Sequence, residues 1–422
     1  MEERIFIVGL SQIWGVIPQE RRSLAGAEMD KDFGHIDNAY VEISMPGGTV
    51  ASMGTMDTLD RSRLEGATVL SGHGRMLIPA FADSHTHLVY AGSREGEFED
   101  KIRGLSYEEI AARGGGILNS ADRLHRTTDN ELFMGAMGRL AEIASKGTAA
   151  VEIKSGYGLN LADELRMLRV IARLKESSPL EIKATFLGAH AVGREYAGRQ
   201  QEYVDMLIAD MLPAVAAEGL AEYVDVFCDR GFFTVEQTDA ILEAASRYGF
   251  RPKIHANELD ISGGVQVGVA HGALSVDHLE RIGQDEIDVL RRSSTVATML
   301  PGASFFLGLP FAPARIAVNS GLTVALASDY NPGSSPSGDM RMVWALGCIK
   351  RNLKPVEARA ACTVTGAAAM ELSDTVGSIA PGRPASFILT RPVPSLAFIP
   401  YAYTSPWIER MFIRGREMEL HP

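Results

Sequence analysis

The chain has 422 residues, 46% of them hydrophobic and 22% charged, with a net charge of −12. That length and apolar content support a large core and more than one average domain, while the acidic balance, without any Lys/Arg run, argues against a nucleic-acid surface. Three scattered cysteines, Cys228, Cys348 and Cys362, are too few for a disulfide framework or a cysteine-based zinc site and read as reduced thiols. The apolar run at 5–8 is too short for a signal peptide, and no stretch approaches the ~20 apolar residues of a membrane span. A soluble, cytoplasmic protein is expected.

Residues 1–75 hold short alternating segments (40–43, 49–51, 68–70) separated by glycine turns, the pattern of a small β module. From residue 76 onward, apolar runs alternate with helical patterns. The strands are predicted at 76–84, 148–154, 182–189, 223–228, 251–255, 273–278, 295–300 and 323–328. The stretch 88–147 is long for one strand-to-helix connection; it carries Arg94, Tyr107 and Gly114-Gly115-Gly116, and reads as a lid over a barrel mouth. Its glycines do not fit a dinucleotide fingerprint. Leu165, Leu168, Ile171 and Leu174 share one face of a helix over 163–175, and Ile241, Leu242, Ala245 and Tyr248 one over 235–248. Thr234 with Gln237 three residues on forms a capping box for the second helix. Residues 371–422 return to short β segments and turns. The expected fold is α/β: a (β/α)8 barrel over 76–370, with a small β-sandwich built from 1–75 and 371–422.

In such barrels chemistry sits at the C-terminal strand ends, so polar residues should gather there. His85 and His87 end the first strand, on one face of it because side chains two apart point the same way. Glu152-Ile153-Lys154-Ser155-Gly156-Tyr157-Gly158 ends the second strand, and Gly188-Ala189-His190 the third. His255-Ala256-Asn257-Glu258 ends the fifth, Asp277-His278 the sixth, and Asp329-Tyr330-Asn331-Pro332-Gly333-Ser334 the eighth. Five of only 10 histidines fall at these ends. Each has a plain alternative: His255 as a satisfied core histidine, Asp329 as a helix cap. Together His85, His87, His255 and Asp329 make a ligand set suited to one zinc or iron ion.

The His-x-His pair with His255, His278 and Asp329 resembles the amidohydrolase superfamily. The segments Glu152–Gly158 and Asp329–Ser335, with 83–95, 114–118, 188–191 and 253–258, are similar to its imidazolonepropionase family. The tail departs from the pattern at Ser386, where relatives carry an acidic residue. The resemblance implies hydrolysis of the lactam C–N bond of 4-imidazolone-5-propanoate to N-formimidoyl-L-glutamate in histidine degradation, with one divalent or trivalent metal, Zn or Fe, per subunit of a homodimer. It further implies catalytic roles for His278, Glu258 and Asp329, with base and acid unassigned among them. Arg94 is expected to hold the substrate carboxylate, Tyr107, Tyr157 and His190 the ring or carboxylate, and Asn331, Gly333 and Ser334 the substrate or product by hydrogen bonds. Lys154 suggests a carbamylated, two-metal centre, which the Glu258–His278 set disfavours. The competing readings are another cyclic amidohydrolase or a nucleobase deaminase, and a barrel scaffold without catalysis.

Overall fold

The computed structural model describes residues 4–45, 47–105, 109 and 114–419. Sixteen strands are described, in two sheets. The first sheet holds β1 (Arg4–Val16), β2 (Gly34–Ser44), β3 (Thr49–Thr55), β4 (Thr68–Ser71), β5 (Met76–Pro79), β14 (Phe387–Thr390), β15 (Ile408–Ile413) and β16 (Arg416–Met418). The C-terminal β14 pairs antiparallel with β5, which pairs parallel with β1, so both ends of the chain join one mixed sheet. Ile7, Ile13, Val41, Leu77, Phe387 and Phe412 pack into its core. Pairing of β1 with β2 slips between Val8 and Leu10 and again between Trp14 and Val16. Gly9 and Gly15, both at φ +71°, occupy those bulges, where the left-handed backbone favours glycine.

The second sheet is the barrel, with eight parallel strands ordered by sequence: β6 (Phe81–Asp83), β7 (Thr148–Lys154), β8 (Glu181–Ala189), β9 (Tyr223–Cys228), β10 (Arg251–Ala256), β11 (Ser275–His278), β12 (Val296–Met299) and β13 (Val324–Leu326). Every residue of β7 is buried, as parallel strands covered on both faces require. The run expected as one strand, 76–84, is two. Met76–Pro79 belongs to the terminal sheet and Phe81–Asp83 to the barrel. The chain switches sheets at Ala80, whose N–H donates to Ser386 O, while Phe81 N–H donates to Gly147 O.

The stretch 88–147 also differs from a plain loop. It contains helices at Glu95–Ile102, Ile117–Leu124 and Asp129–Ser145, the last opened by a capping box of Thr128 and Glu131. The Thr234–Gln237 capping box forms at the head of Val235–Ser246.

The gap between β13 and β6 is bridged just beyond the strand ends. Asp329 N–H donates to His85 O (3.0 Å) and His87 N–H to Tyr330 O (2.9 Å). Ser328 adds its N–H (2.9 Å) and hydroxyl (2.5 Å) to the buried Asp83 carboxylate. This seam sets the residues after β6 beside those after β13.

Candidate metal centre and the cavity above it

His85, His87 and Asp329 meet at the seam, and His255 reaches them from the end of β10. Asp329 Oδ1 lies 3.5 Å from His85 Nε2 and 3.6 Å from His87 Nε2, and the Nε2 atoms of His87 and His255 are 3.4 Å apart. Donors on one ion with bonds of ~2.1 Å and tetrahedral angles stand ~3.4 Å apart. His85 Nε2 and Asp329 Oδ1 are buried and have no hydrogen-bond partner among the described residues. His85, His87 and Asp329 form a group that could hold a metal ion, with His255 beside His87.

Acceptors behind the rings fix their orientation. His85 Nδ1 is 2.6 Å from Asp277 Oδ2, and His255 Nδ1 is 2.9 Å from Asp225 Oδ2, so each ring turns Nε2 to the centre. Burial first, then neighbouring cations and imidazoles, hold His85 and His87 well below the ordinary histidine range. Burial also takes His255 down to about 4, against the pull of Asp225. Neutral imidazole is the form that binds metal.

Beneath these rings lies a fully buried ionic layer. Lys154 Nζ contacts Glu152 Oε1 (2.6 Å), Asp225 Oδ2 (2.8 Å) and Asp277 Oδ2 (3.6 Å), and Lys253 Nζ donates to Glu152 and to Ser84 O. Burial works against the Lys154 charge, but Asp225, Glu152 and Asp277 hold its pKa above the ordinary value. An ammonium among carboxylates is a poor carbamylation site, which agrees with a centre that does not use Lys154 as a ligand.

His278 approaches from β11; a ring nitrogen lies within 4.8 Å of nitrogens of both His85 and His255. Its Nδ1 faces two carboxylates, Glu258 Oε2 and Glu280 Oε2, each at 3.6 Å. Burial opposes its charge, yet Glu258 and Glu280 raise His278 to about 10. Burial pushes Glu258 up to about 7 against the attraction of His278. Asn257, His278, Leu279 and Asp329 all carry positive φ, a concentration of backbone strain at the strand ends that marks functional sites.

A cavity of about 340 Å³ opens above the cluster, with Arg94, Tyr157, His190, Glu258, His278, Asp329, Asn331, Gly333 and Ser334 in its wall. His190 stacks on His87 at 5.0 Å between ring centroids and turns Nδ1 to Gly156 O (2.9 Å). The loop carrying Tyr157 is ordered by buried Glu164, which accepts from the N–H groups of Gly156, Gly158 and Leu159. Asn331 is engaged within its own loop: Oδ1 accepts from Gly333 and Ser334 N–H, and Nδ2 donates to Asp329 O and Ser334 Oγ. The Arg94 guanidinium packs against Gly333, where a Cβ would fall 2.1 Å from Nη1. Tyr107 lies outside the described residues. A second, shallower hollow lined by Gly92, Arg123, Glu131 and Arg139 holds none of the cluster.

Sequence reasoning missed Asp225 and Glu280, and the role of Asp277 behind His85. Asp225 had a signal, a lone carboxylate inside an otherwise apolar strand, which calls for a buried partner.

The amidohydrolase family pattern matches residues 76–418. An imidazolonepropionase of Christiangramia forsetii is 45% identical over 412 residues, covering 98% of this chain and 99% of that one. The imidazolonepropionase of Flavobacterium johnsoniae is 48% identical, covering 93% and 94%. The chain belongs to the imidazolonepropionase family of amidohydrolases. Similarity of fold reaches beyond the family: a variant of atrazine chlorohydrolase from Arthrobacter aurescens, complexed with zinc and atraton, superposes with a TM-score of 0.70 at 15% identity, covering 98% of this chain and 94% of that one. Among the described residues, no helix is long and apolar enough to cross a membrane.

Proposed function

We propose that this chain hydrolyses the lactam C–N bond of 4-imidazolone-5-propanoate, yielding N-formimidoyl-L-glutamate in histidine degradation. The observation that carries the reading is one cavity with the buried His/Asp cluster at its floor and the Arg94 guanidinium in its wall. The family's own name supports the ring chosen. His85, His87, His255 and Asp329 would hold one zinc or iron ion per subunit of a cytoplasmic homodimer. Such an ion, when bound, lowers the pKa of a water toward 7 and polarises a carbonyl.

The residues around it divide the remaining work. Arg94 receives the propionate carboxylate, since a guanidinium matches it in bidentate fashion. Tyr157 and His190 face the ring and exclude water from it. His278, kept cationic between Glu258 and Glu280, donates to the oxygen on which charge develops. Glu258, poised near neutrality, takes a proton from the attacking water and passes it to the departing ring nitrogen. The water's oxygen thus joins the carbonyl carbon, the C–N bond breaks, and the proton ends on nitrogen. Asp329 is braced for ligation by Ser334 Oγ, 3.1 Å from its Oδ2.

The test is the ultraviolet absorbance of imidazolonepropionate incubated with the purified, metal-loaded protein. Loss of absorbance with formation of N-formimidoyl-L-glutamate is expected; a metal-loaded, folded protein that leaves the compound intact refutes the reading.

A further inference from the structure

We infer that Glu97 is the positioning residue for the substrate's carboxylate: it turns the Arg94 guanidinium so that one defined end faces the cavity. The inference rests on the imidazolonepropionate reading and extends it to a residue that does not touch the substrate.

Arg94 caps the helix Glu95–Ile102, and Glu97 follows three residues later, one helical turn on. Glu97 Oε2 accepts from Arg94 Nε (3.0 Å) and Nη2 (2.6 Å). The same oxygen accepts from Gly116 N–H (3.1 Å), and Oε1 from Asn119 Nδ2 (2.8 Å). The two side chains of the pair are only 11% and 17% exposed. Glu97 therefore occupies the Nε edge of a rigid, planar fork of five donors. Nη1 has no hydrogen-bond partner among the described residues and lies against Gly333, at the cavity wall. A carboxylate entering the cavity meets the remaining Nη1–Nη2 end.

Two effects of Glu97 oppose each other. Its charge partly cancels that of Arg94, which weakens attraction for an anion. Its grip removes rotamer freedom that Arg94 would otherwise lose on binding, and it ties Arg94 to Gly116 and Asn119 at the head of the next helix. Burial works against its ionisation, but Arg94 and Asn119 hold its carboxyl below the usual range, so the grip persists at neutral pH. Positioning dominates here, because a misdirected fork forfeits both bonds to the substrate while partial neutralisation only attenuates them.

The sign of one kinetic change decides between the effects. In Glu97→Ala, KM for imidazolonepropionate should rise about ten- to a hundredfold, the worth of a lost charge-assisted hydrogen bond, with kcat moving far less. Glu97→Gln should bring KM most of the way back, because its amide oxygen can accept the same N–H groups while Asn119 turns its own amide. Arg94→Ala with Glu97→Ala should have the KM of Arg94→Ala alone, as expected if Glu97 acts only through Arg94. Should Glu97→Ala not fold, Glu97→Asp, too short to span to the guanidinium, reads the same shift. An unchanged or lowered KM in either, or additive effects in the double variant, overturns the inference and leaves the proposed reaction standing. A wild-type protein that does not turn the compound over removes the proposed reaction, and this inference with it.

Discussion

Adding one methyl group at Gly333 tests the proposed carboxylate site with little risk to the fold. A Cβ there would lie 2.1 Å from Arg94 Nη1, 2.5 Å from Cζ and 2.9 Å from Nη2. The φ of Gly333 is not in the left-handed region, so alanine meets no backbone strain. The whole clash falls on the tip of a flexible side chain. To reach an ordinary separation of about 3.6 Å, the guanidinium must retreat about 1.5 Å. Its bonds to Glu97, 3.0 and 2.6 Å long, do not survive that displacement unless Glu97 follows. The substrate then loses at least one charge-assisted hydrogen bond, about 1.5–3 kcal/mol, or about ten- to 150-fold in KM. Stability should barely change, since the half-buried loop keeps its Asn331 bonds. Steady-state kinetics alongside thermal melting separate the two outcomes. Gly333→Ala with unchanged KM would show that Arg94 is not where the substrate binds, and a large fall in Tm would show that the clash is not confined to the Arg94 side chain.

Asp277→Asn should weaken metal affinity about ten- to a hundredfold, because the charged acceptor that orients His85 is lost; competition with a chelator measures it, and unchanged affinity counts against a metal role for His85. In the proposed reaction Glu258 must start as a carboxylate to take the water's proton. With its pKa near 7, kcat should fall as pH drops through that value; Glu258→Gln should lose this limb together with about 10²–10⁴-fold in kcat, and a limb that survives the substitution assigns the proton elsewhere. Burial pushes Cys348 up to about 12 and raises Cys228 and Cys362 as well. Alkylation of the native protein at pH 8 should therefore be slow at all three, and fast after unfolding; mass spectrometry showing rapid native labelling of Cys228 or Cys362 would contradict their burial.

The barrel was legible because its strands are short apolar runs, six of which lead into polar residues, and beyond the first strand their observed limits lie within about two residues of the expected ones. The run 76–84 misled because composition does not reveal a change of sheet. Pro79 lacks an N–H and ends its ladder, and the next strand begins two residues on. The cluster itself was legible in the spacing of histidines. Its supports were not: Asp277 lies 192 residues from the His85 it orients, a separation that no local pattern encodes. Thr86, between the two histidines, donates its hydroxyl to Glu152 O at 2.6 Å and accepts Lys154 N–H on its carbonyl, contacts no sequence pattern announces. It ties β6 to β7. The stretch 88–147 was underestimated because its helices are broken by glycines needed for turns, Gly114 and Gly116 having φ of +87° and +83°.

The seam between β13 and β6 has a mechanical consequence. Elsewhere the wall of the barrel is a ladder of backbone bonds, but here it is a clasp made of Asp83 with Ser328 and of the paired backbone at His85 and Tyr330. Three of the four proposed ligands sit on its two jaws. If the clasp springs open, the donors scatter; while it is shut, they stay within a few ångströms of one another. Release of an ion and breathing of the wall become a single event, and slow amide exchange at His87 and Asp329 would report on both at once.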